Sequence, residues 1–195
     1  MRVASFFTTI ALGYVVQGRT LNLVGRDDNT WGLGQTDLGT TNLCDTSTFK
    51  PETSSELPLA EDCEKLVDNL SSHKTHLWFF YNSGKGKPVD DGSYWSFSQV
   101  GTCAFAAKVS DDGTAHTAIS WGDAANIVRD SIHNHSTNGG KQVRTSGSMQ
   151  CAATTDKCGI CLKWDPSKTG KRTISWQVYK PGDNSVKISE TATAF

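Results

Sequence analysis

The sequence predicts an α+β fold in which two helices pack on one face of an antiparallel sheet. Two segments, near residues 58–70 and 123–134, repeat apolar residues at the spacing of a helix. Short apolar or alternating segments bounded by turn residues are typical of strands, and they lie between and after these helices. One sheet face that buries both helices is the economical packing, and it is close to a split βαβ arrangement.

The first eighteen residues have the layout of a secretory signal peptide. Arg2 gives a positive start, residues 3–16 are mainly apolar, and Gly18 is the small residue before the expected cleavage point. We therefore expect residues 1–18 to be removed and the remaining chain to be secreted. A buried N-terminal helix or an anchor is the alternative, although the apolar run is short for an anchor.

Residues 19–43 are expected to form an irregular N-terminal extension, because they are rich in Gly, Thr, Asn and Asp. The folded core is expected to start near Cys44. A Ser/Thr-rich loop with one short extended piece is expected over residues 45–58, before the first helix.

The first helix is expected from Pro58 to Leu70, since Pro and acidic residues suit a helix start. Its apolar stripe consists of Cys63, Leu66, Val67 and Leu70. The second helix is expected from Asp123, which is a good N-cap residue, to Asn134. Its inner face consists of Ala124, Ile127, Val128, Ser131 and Ile132.

Strands are expected wherever apolar or alternating segments are flanked by turn residues. Asp111-Asp112-Gly113 has the composition of a tight turn, which would make the strands on either side of it a hairpin. The expected strands cover residues 75–81, 93–100, 102–109, 116–121, 142–151, 160–164, 173–179 and 185–188.

Six cysteines in a secreted chain indicate three disulfides, and the sequence by itself leaves several pairings open. They are Cys44, Cys63, Cys103, Cys151, Cys158 and Cys161. Cys158 and Cys161 have the spacing of zinc ligands or of a redox pair. A second ligand pair for zinc, or a βαβ start for a redox site, is missing from the sequence, so we favour a structural disulfide. No metal or other cofactor is expected.

Two tripeptides fit the acceptor pattern for N-glycosylation, and both fall near the end of an expected helix. They begin at Asn69 (Asn-Leu-Ser) and at Asn134 (Asn-His-Ser). Such tripeptides also arise by chance in a chain of this size, so they add little to the case for secretion.

The charge of the chain argues against a nucleic-acid partner. Lys and Arg number 19 against 20 Asp and Glu, and the formal charge is −1. Nucleic-acid binders carry a basic excess instead. No apolar run long enough to span a membrane follows the first twenty residues. We expect a monomer.

The sequence holds weak signals for catalysis. His133 and His135 lie close together, and with Lys141 or Arg144 to hold a phosphate they would suit a secreted ribonuclease or hydrolase. Residues at i and i+2 of a helix point in different directions, however. The acidic pairs 90–91 and 111–112 adjoin Gly92 and Gly113, which is typical of turns. No catalytic residue is therefore expected.

Binding is the more economical hypothesis, because the chain contains six Trp. Any that are exposed would stack on sugars or anchor a protein partner, although most are expected to fill the core. We expect the contact surface on the loop over residues 82–92, because binding often takes place on loops. This loop contains Lys85 and Lys87, and Tyr94 lies near it. The tryptophans in strand-like segments are Trp78, Trp95, Trp121, Trp164 and Trp176.

Four short blocks, in order, resemble the fungal secreted putative necrosis-inducing factor family, an extracellular protein 2-like effector family. The resemblance spans about residues 42–151. The blocks are Leu43-Cys44-Asp45-Thr46-Ser47-Thr48-Phe49, Glu61-Asp62-Cys63, Gly101-Thr102-Cys103-Ala104-Phe105, and pieces between Ile119 and Cys151 that include Gly122-Asp123 and Gly147-Ser148-Met149-Gln150-Cys151.

The resemblance implies a small effector, secreted by a plant-associated fungus into the apoplast, that promotes virulence or triggers host cell death. It implies an extracellular host protein or a cell-wall or membrane component as partner, and it supplies no catalytic residue. Residues 44–151 would form the effector domain, and residues 152–195 a β-rich C-terminal extension added as a hairpin or a sheet edge. The helix-on-sheet order is also similar to fungal killer toxins of the α/β-sandwich type, which keeps an antimicrobial role as an alternative.

Within the resembling core, we expect Cys63 to pair with Cys103 and Cys44 with Cys151. The first bond would join the first helix to the central hairpin, and the second would close the two ends of the core. Cys158 would then pair with Cys161 in a tight, strained loop. A swapped arrangement that involves Cys44 is the main competitor.

Overall fold

The computed structural model describes residues 31–37, 42–54, 56–82, 93–111, 116–154 and 170–191. Within these ranges the chain forms two helices and a series of strands. The helices are α1 (Ala60–Ser72) and α2 (Trp121–His135). The strands are β1 (Trp31–Asp37), β2 (Lys50–Pro51), β3 (His76–Asn82), β4 (Tyr94–Val100), β5 (Cys103–Val109), β6 (His116–Ser120), β7 (Ser136–Thr137), β8 (Gln142–Val143), β9 (Thr145–Thr154), β10 (Gly170–Tyr179) and β11 (Ile188–Thr191).

One large sheet carries most of these strands, in the order β1-β3-β6-β9-β10-β5-β4-β11. Neighbours along this path are antiparallel, except that β11 runs parallel to β4. The short strand β2 pairs with β9 beside this path, and β7 pairs with β8 as a separate ribbon. Two helices on a mostly antiparallel sheet confirm the predicted α+β class.

Both helices pack on the same face of the sheet, and strand alternation explains how. The side chains of Trp78, Phe105 and Trp176 point from β3, β5 and β10 into the main core with the apolar stripes of α1 and α2. The alternate residues point to the other face, where Leu43 covers Leu77 and Phe79 of β3. On that face Val186 likewise covers Ala104, Ala106 and Tyr179.

The helices run antiparallel to each other. The start of α1 lies beside the segment just after α2, where the amide of Ala60 donates to the carbonyl of Lys141 at 2.9 Å. At its other end, the ring of His73 contacts Trp121, the first residue of α2. Each helix C-terminus therefore lies at the same end of the layer as the N-terminus of its neighbour.

The expectation of an irregular extension over residues 19–43 is wrong for residues 31–37. Residues 31–37 form β1, which pairs with β3 in register from Trp31 opposite Asn82 to Asp37 opposite His76. Glycine-rich composition indicated a loop, but long-range pairing with an apolar strand overrides that local preference.

The expected hairpin across residues 111–113 does not form. The strand β6 pairs with β3 and β9, whereas β5 pairs with β4 and β10. A turn composition marks a change of chain direction, and it does not determine which strand becomes the partner.

The C-terminal region is an added edge of the sheet only in part, because β11 lies at the edge beside β4 but β10 does not. β10 lies inside the sheet and pairs with β9 along one side and with β5 along the other. Its apolar residues Ile174, Trp176 and Val178 are fully buried in the main core. β10 is therefore part of the scaffold, while the expected strand over residues 160–164 lies outside the described residues.

β9 has a second neighbour from residue 145 to residue 152, the segment of residues 43–52. The amide of Thr48 donates to the carbonyl of Ser148 at 2.9 Å, and the amide of Asp45 donates to the carbonyl of Gln150 at 2.8 Å. β6 pairs only with the end of β9, at residues 153–154. The segment therefore takes the place beside β9 that β6 leaves open.

Candidate functional site

The sequence blocks that carry the resemblance meet in pairs, and the first junction joins α1 to β5. The carboxylate of Asp62 accepts hydrogen bonds from the amide of Thr102 at 2.8 Å and from its hydroxyl at 2.7 Å. The disulfide Cys63–Cys103 lies directly beside them, with 5.1 Å between the Cα atoms. The hydrogen bonds from Thr102 lower the pKa of the Asp62 carboxyl.

Gly101 is required at this junction for two reasons. Its φ angle is +53°, in the left-handed region that favours glycine. A Cβ atom there would lie 2.5 Å from the Asp62 carboxylate. The pairing of Asp62 with Thr102 therefore depends on a glycine at the position before Thr102.

The second junction holds the segment around Cys44 against the start of α2. Ser120 is the N-cap of α2, and its hydroxyl accepts from the amide of Asp123 at 2.9 Å. Asp123 in turn accepts from the Ser120 hydroxyl and amide, which completes a capping box. The same carboxylate accepts from the amide of Leu43 at 3.0 Å. Asp123 is thus at N3 and not, as expected, at the N-cap.

Cys44 is fixed next to this cap by its disulfide to Cys151, which spans 107 residues. Burial raises the pKa of the Asp123 carboxyl, and the hydrogen bonds from Ser120, Leu43 and Cys44 offset only part of that increase. The second junction therefore connects three distant parts of the chain through one buried carboxyl and one disulfide.

The third junction lies on β9 at Gly147. The carbonyl of Thr48 would overlap with a Cβ atom at this position, and the ring of Trp176 would lie 2.5 Å from it. The indole N–H of Trp176 donates to the hydroxyl of Ser47 at 2.7 Å. Glycine at 147 therefore allows the first block to approach β9 and cover Trp176.

These contacts show what the blocks do. Their charged and hydroxyl side chains at the three junctions bond to one another inside the molecule, and four of their cysteines form two disulfides. The pairs are those that we expected within the resembling core. Cys158 and Cys161 lie outside the described residues.

Two of the residues considered for catalysis, His135 and Arg144, have partners within the scaffold. His133 is exposed on α2, whereas the ring of His135 stacks on Phe49 with 5.2 Å between centroids. Arg144 is buried, and its guanidinium is occupied by Asp183 and by the hydroxyl of Ser185, the latter at 2.9 Å. Arg144 is therefore not available to hold a phosphate beside the two imidazoles.

Asp183 is the acidic partner of this buried ion pair. Its burial would raise the pKa of the carboxyl, but hydrogen bonds from the hydroxyl and amide of Ser185 and the charge of Arg144 leave the pKa lowered. The amide and hydroxyl of Ser185 donate to the carboxylate at 2.9 and 2.7 Å. The pair fixes the turn after β10 to the start of β9.

Of the acidic pair at 111–112, the structure describes Asp111, and this residue has a structural role. Asp111 accepts from the guanidinium of the buried Arg172 and from the amide of Thr173. Burial and the charge of Arg172 together lower the pKa of the nearby His116. Asp112 and the pair 90–91 lie outside the described residues.

Among the residues that the structure describes, no three His, Cys, Asp or Glu side chains cluster as metal ligands do.

The four tryptophans whose side chains the structure describes mainly fill the core, as we expected. Trp78, Trp121 and Trp176 are buried, and Trp95 is half-buried against the same core. Trp164, like the proposed contact loop from residue 83 to residue 92, lies outside the described residues.

Sequence reasoning missed one cluster, in which His73 and His76 reach the surface above Trp121. The two imidazole rings stack with 5.0 Å between centroids, and each meets the Trp121 indole edge-on. Trp121 itself stacks on Trp78 at 5.0 Å, so the cluster continues the aromatic core. The two His are three residues apart across the α1–β3 turn, and this spacing was the available signal.

The acceptor asparagines of both tripeptides, Asn69 and Asn134, are exposed on α1 and α2. No helix in the described part of the chain is long and apolar enough to cross a membrane.

The fold and these junctions define a small disulfide-bonded α+β protein whose sequence blocks close its own scaffold. A family model described as a pathogen effector and putative necrosis-inducing factor (Hce2) matches residues 43–151, more than half of the chain. The chain belongs to this family. A search of curated proteins finds no match. The matched region ends at Cys151, before β10, so the sheet extends beyond it.

Proposed function

We propose that this protein is a secreted effector that acts outside the producing cell and binds a host target. The observation that carries the proposal is the effector-family match, whose blocks form a scaffold closed by two disulfides. Disulfides of this kind persist in oxidising compartments, and the first eighteen residues have the layout of a secretory leader. On this proposal the producer is a plant-associated fungus, and the protein acts in the apoplast as a monomer.

The mode of action in this proposal is binding, without catalysis. In support, Arg144 and Asp111 are bonded within the scaffold, and the ring of His135 packs on Phe49. The target is an extracellular host protein or a cell-wall or membrane component. The likeness of the helix-on-sheet order to killer toxins stays a prediction, because a fold does not determine a function.

Leaf infiltration with purified, oxidised protein tests the proposal. Oxidised protein is expected to cause cell death in responsive leaves or to increase infection in susceptible ones. Protein carrying Cys63→Ser together with Cys103→Ser is the matched control, because both side chains are buried and the change removes one scaffold bond. No response to the oxidised protein, combined with full virulence of a deletion strain, would rule the proposal out.

An RNA-degradation assay separates binding from the hydrolase alternative. Wild-type protein and the variant His133→Ala are both expected to leave RNA intact. Degradation by the wild type that the variant lacks would contradict a binding-only mode of action.

A further inference from the structure

The acceptor asparagines of both glycosylation tripeptides are exposed on the two helices. Asn69 is exposed in the last turn of α1, between the buried Val67 and Leu70. Asn134 is exposed at the end of α2, two residues after the buried Ile132. Neither asparagine belongs to the three junctions or to the sheet.

The antiparallel arrangement of the helices places these asparagines at opposite ends of the layer. Asn69 is near the end where α1 finishes and Trp121 begins α2, as the contact between His73 and Trp121 shows. Asn134 is near the other end, where the Lys141 carbonyl accepts from the amide of Ala60. Helices of 13 and 15 residues are about 20 Å long.

We propose that Asn69 and Asn134 each carry an N-linked glycan, and that the two glycans together cover the helix layer. This inference rests on the proposed secretion, because the modification occurs in the secretory pathway. In the transfer step, a carbon–nitrogen bond forms between the side-chain amide and the first sugar of a lipid-linked oligosaccharide. The bond from that sugar to the lipid pyrophosphate breaks, the pyrophosphate leaves with the lipid, and the amide nitrogen loses one proton.

The placement has a consequence for target binding. Bulky, hydrated glycans at both ends of a layer about 20 Å long would keep a large partner away from its surface. The contact with the target therefore avoids the helix layer, so a further glycan on this layer is expected to be tolerated.

Intact mass of protein secreted by a eukaryotic host, before and after peptide N-glycosidase treatment, tests the two sites. Two glycans are expected, with Asn69 and Asn134 converted to Asp by the enzyme. Ser71→Ala and Ser136→Ala should each remove one glycan, whereas Ser71→Thr, which keeps the acceptor pattern, should retain it. A secreted protein whose mass equals that of the bare chain would overturn the assignment.

A third glycan in the middle of the layer tests the covering. Arg129→Asn creates an Asn-Asp-Ser acceptor on α2, and Arg129→Gln is its unglycosylated match. We expect the two variants to be equally active in leaf infiltration. Loss of activity in the glycosylated variant alone would place the target contact on the helix layer and contradict the proposal that glycans cover it. The mass measurement does not depend on leaf infiltration. An inactive wild-type protein would therefore contradict the proposed function, while the mass would still show whether Asn69 and Asn134 carry glycans.

Discussion

At the scale of single residues, glycine 147 shows how closely the first sequence block approaches the sheet. We predict that Gly147→Ala lowers the free energy of unfolding by about 1–3 kcal/mol, because the added methyl overlaps Thr48 and meets the Trp176 ring at 2.5 Å. Chemical denaturation measures the change. Gly170→Ala is the matched control, since nothing lies within 4 Å of a Cβ there, and it should change stability by less than about 0.5 kcal/mol. Equal effects of the two substitutions would contradict the close approach.

The carboxyl of Asp123 gives a second prediction at this scale. Asp123→Ala should destabilise the protein by about 1–3 kcal/mol, because the capping box is lost and the amide of Leu43 loses its buried acceptor. Thermal or denaturant unfolding checks this, with the exposed Asp130→Ala on the same helix as control. A loss no greater than that of the control would show that the cap does not hold the segment around Cys44.

Residue-level prediction from the sequence was partly successful, for physical reasons. The sequence correctly located Asp123 at the start of α2, but it gave no sign that Ser120 caps the helix, because Ser120 also continues β6. The ion pair of Arg144 with Asp183 joins residues 39 apart in the chain, and no local pattern predicts such a pair. Local patterns locate caps and stripes, whereas the choice of partner is made by tertiary packing.

At the scale of elements, β10 is a central strand of the sheet, and it was expected to be an addition to a complete core. We predict that a chain ending after Thr154 shows no cooperative unfolding transition, because β9 and β5 would each lose the neighbour that lies between them. A chain ending after Thr191 keeps β10 and β11 and is expected to unfold cooperatively. Circular dichroism during thermal unfolding distinguishes them. A cooperative transition in the shorter chain would show that β10 is dispensable.

The two helices and most described strands were predictable because their apolar periodicities are strong and local. The pairing of strands was not predictable in the same way. β6 is the next strand after β5 in the chain, yet it pairs with β3 and β9, and β10 enters between two strands that precede it. Sheet order depends on contacts across long stretches of sequence, which single-segment patterns do not contain.

At the scale of the whole molecule, the buried ion pair makes stability depend on pH. The pKa of Asp183 is lowered from its ordinary value of 3.8, so the stability it contributes is present above that pH and is lost as the pH falls through the folded-state pKa. We predict that Asp183→Asn is less stable than wild type at neutral pH, and that the difference shrinks below about pH 4. Denaturation across pH measures it.

The exposed neighbour Asn184 supplies the control for that experiment. Asn184→Ala should follow the wild-type profile at every pH, since it removes no charge. A difference between wild type and Asp183→Asn that stays constant through the acid range would contradict the role of the ionised carboxylate.

The central claim is the proposal that this effector is secreted with its scaffold closed by its own disulfides. Mass-spectrometric mapping of the protein recovered from culture medium tests this claim most directly. We predict a chain without residues 1–18 that yields linked peptides for Cys44–Cys151 and Cys63–Cys103. Protein that stays inside the cell with its leader intact and these four cysteines as free thiols would contradict the account.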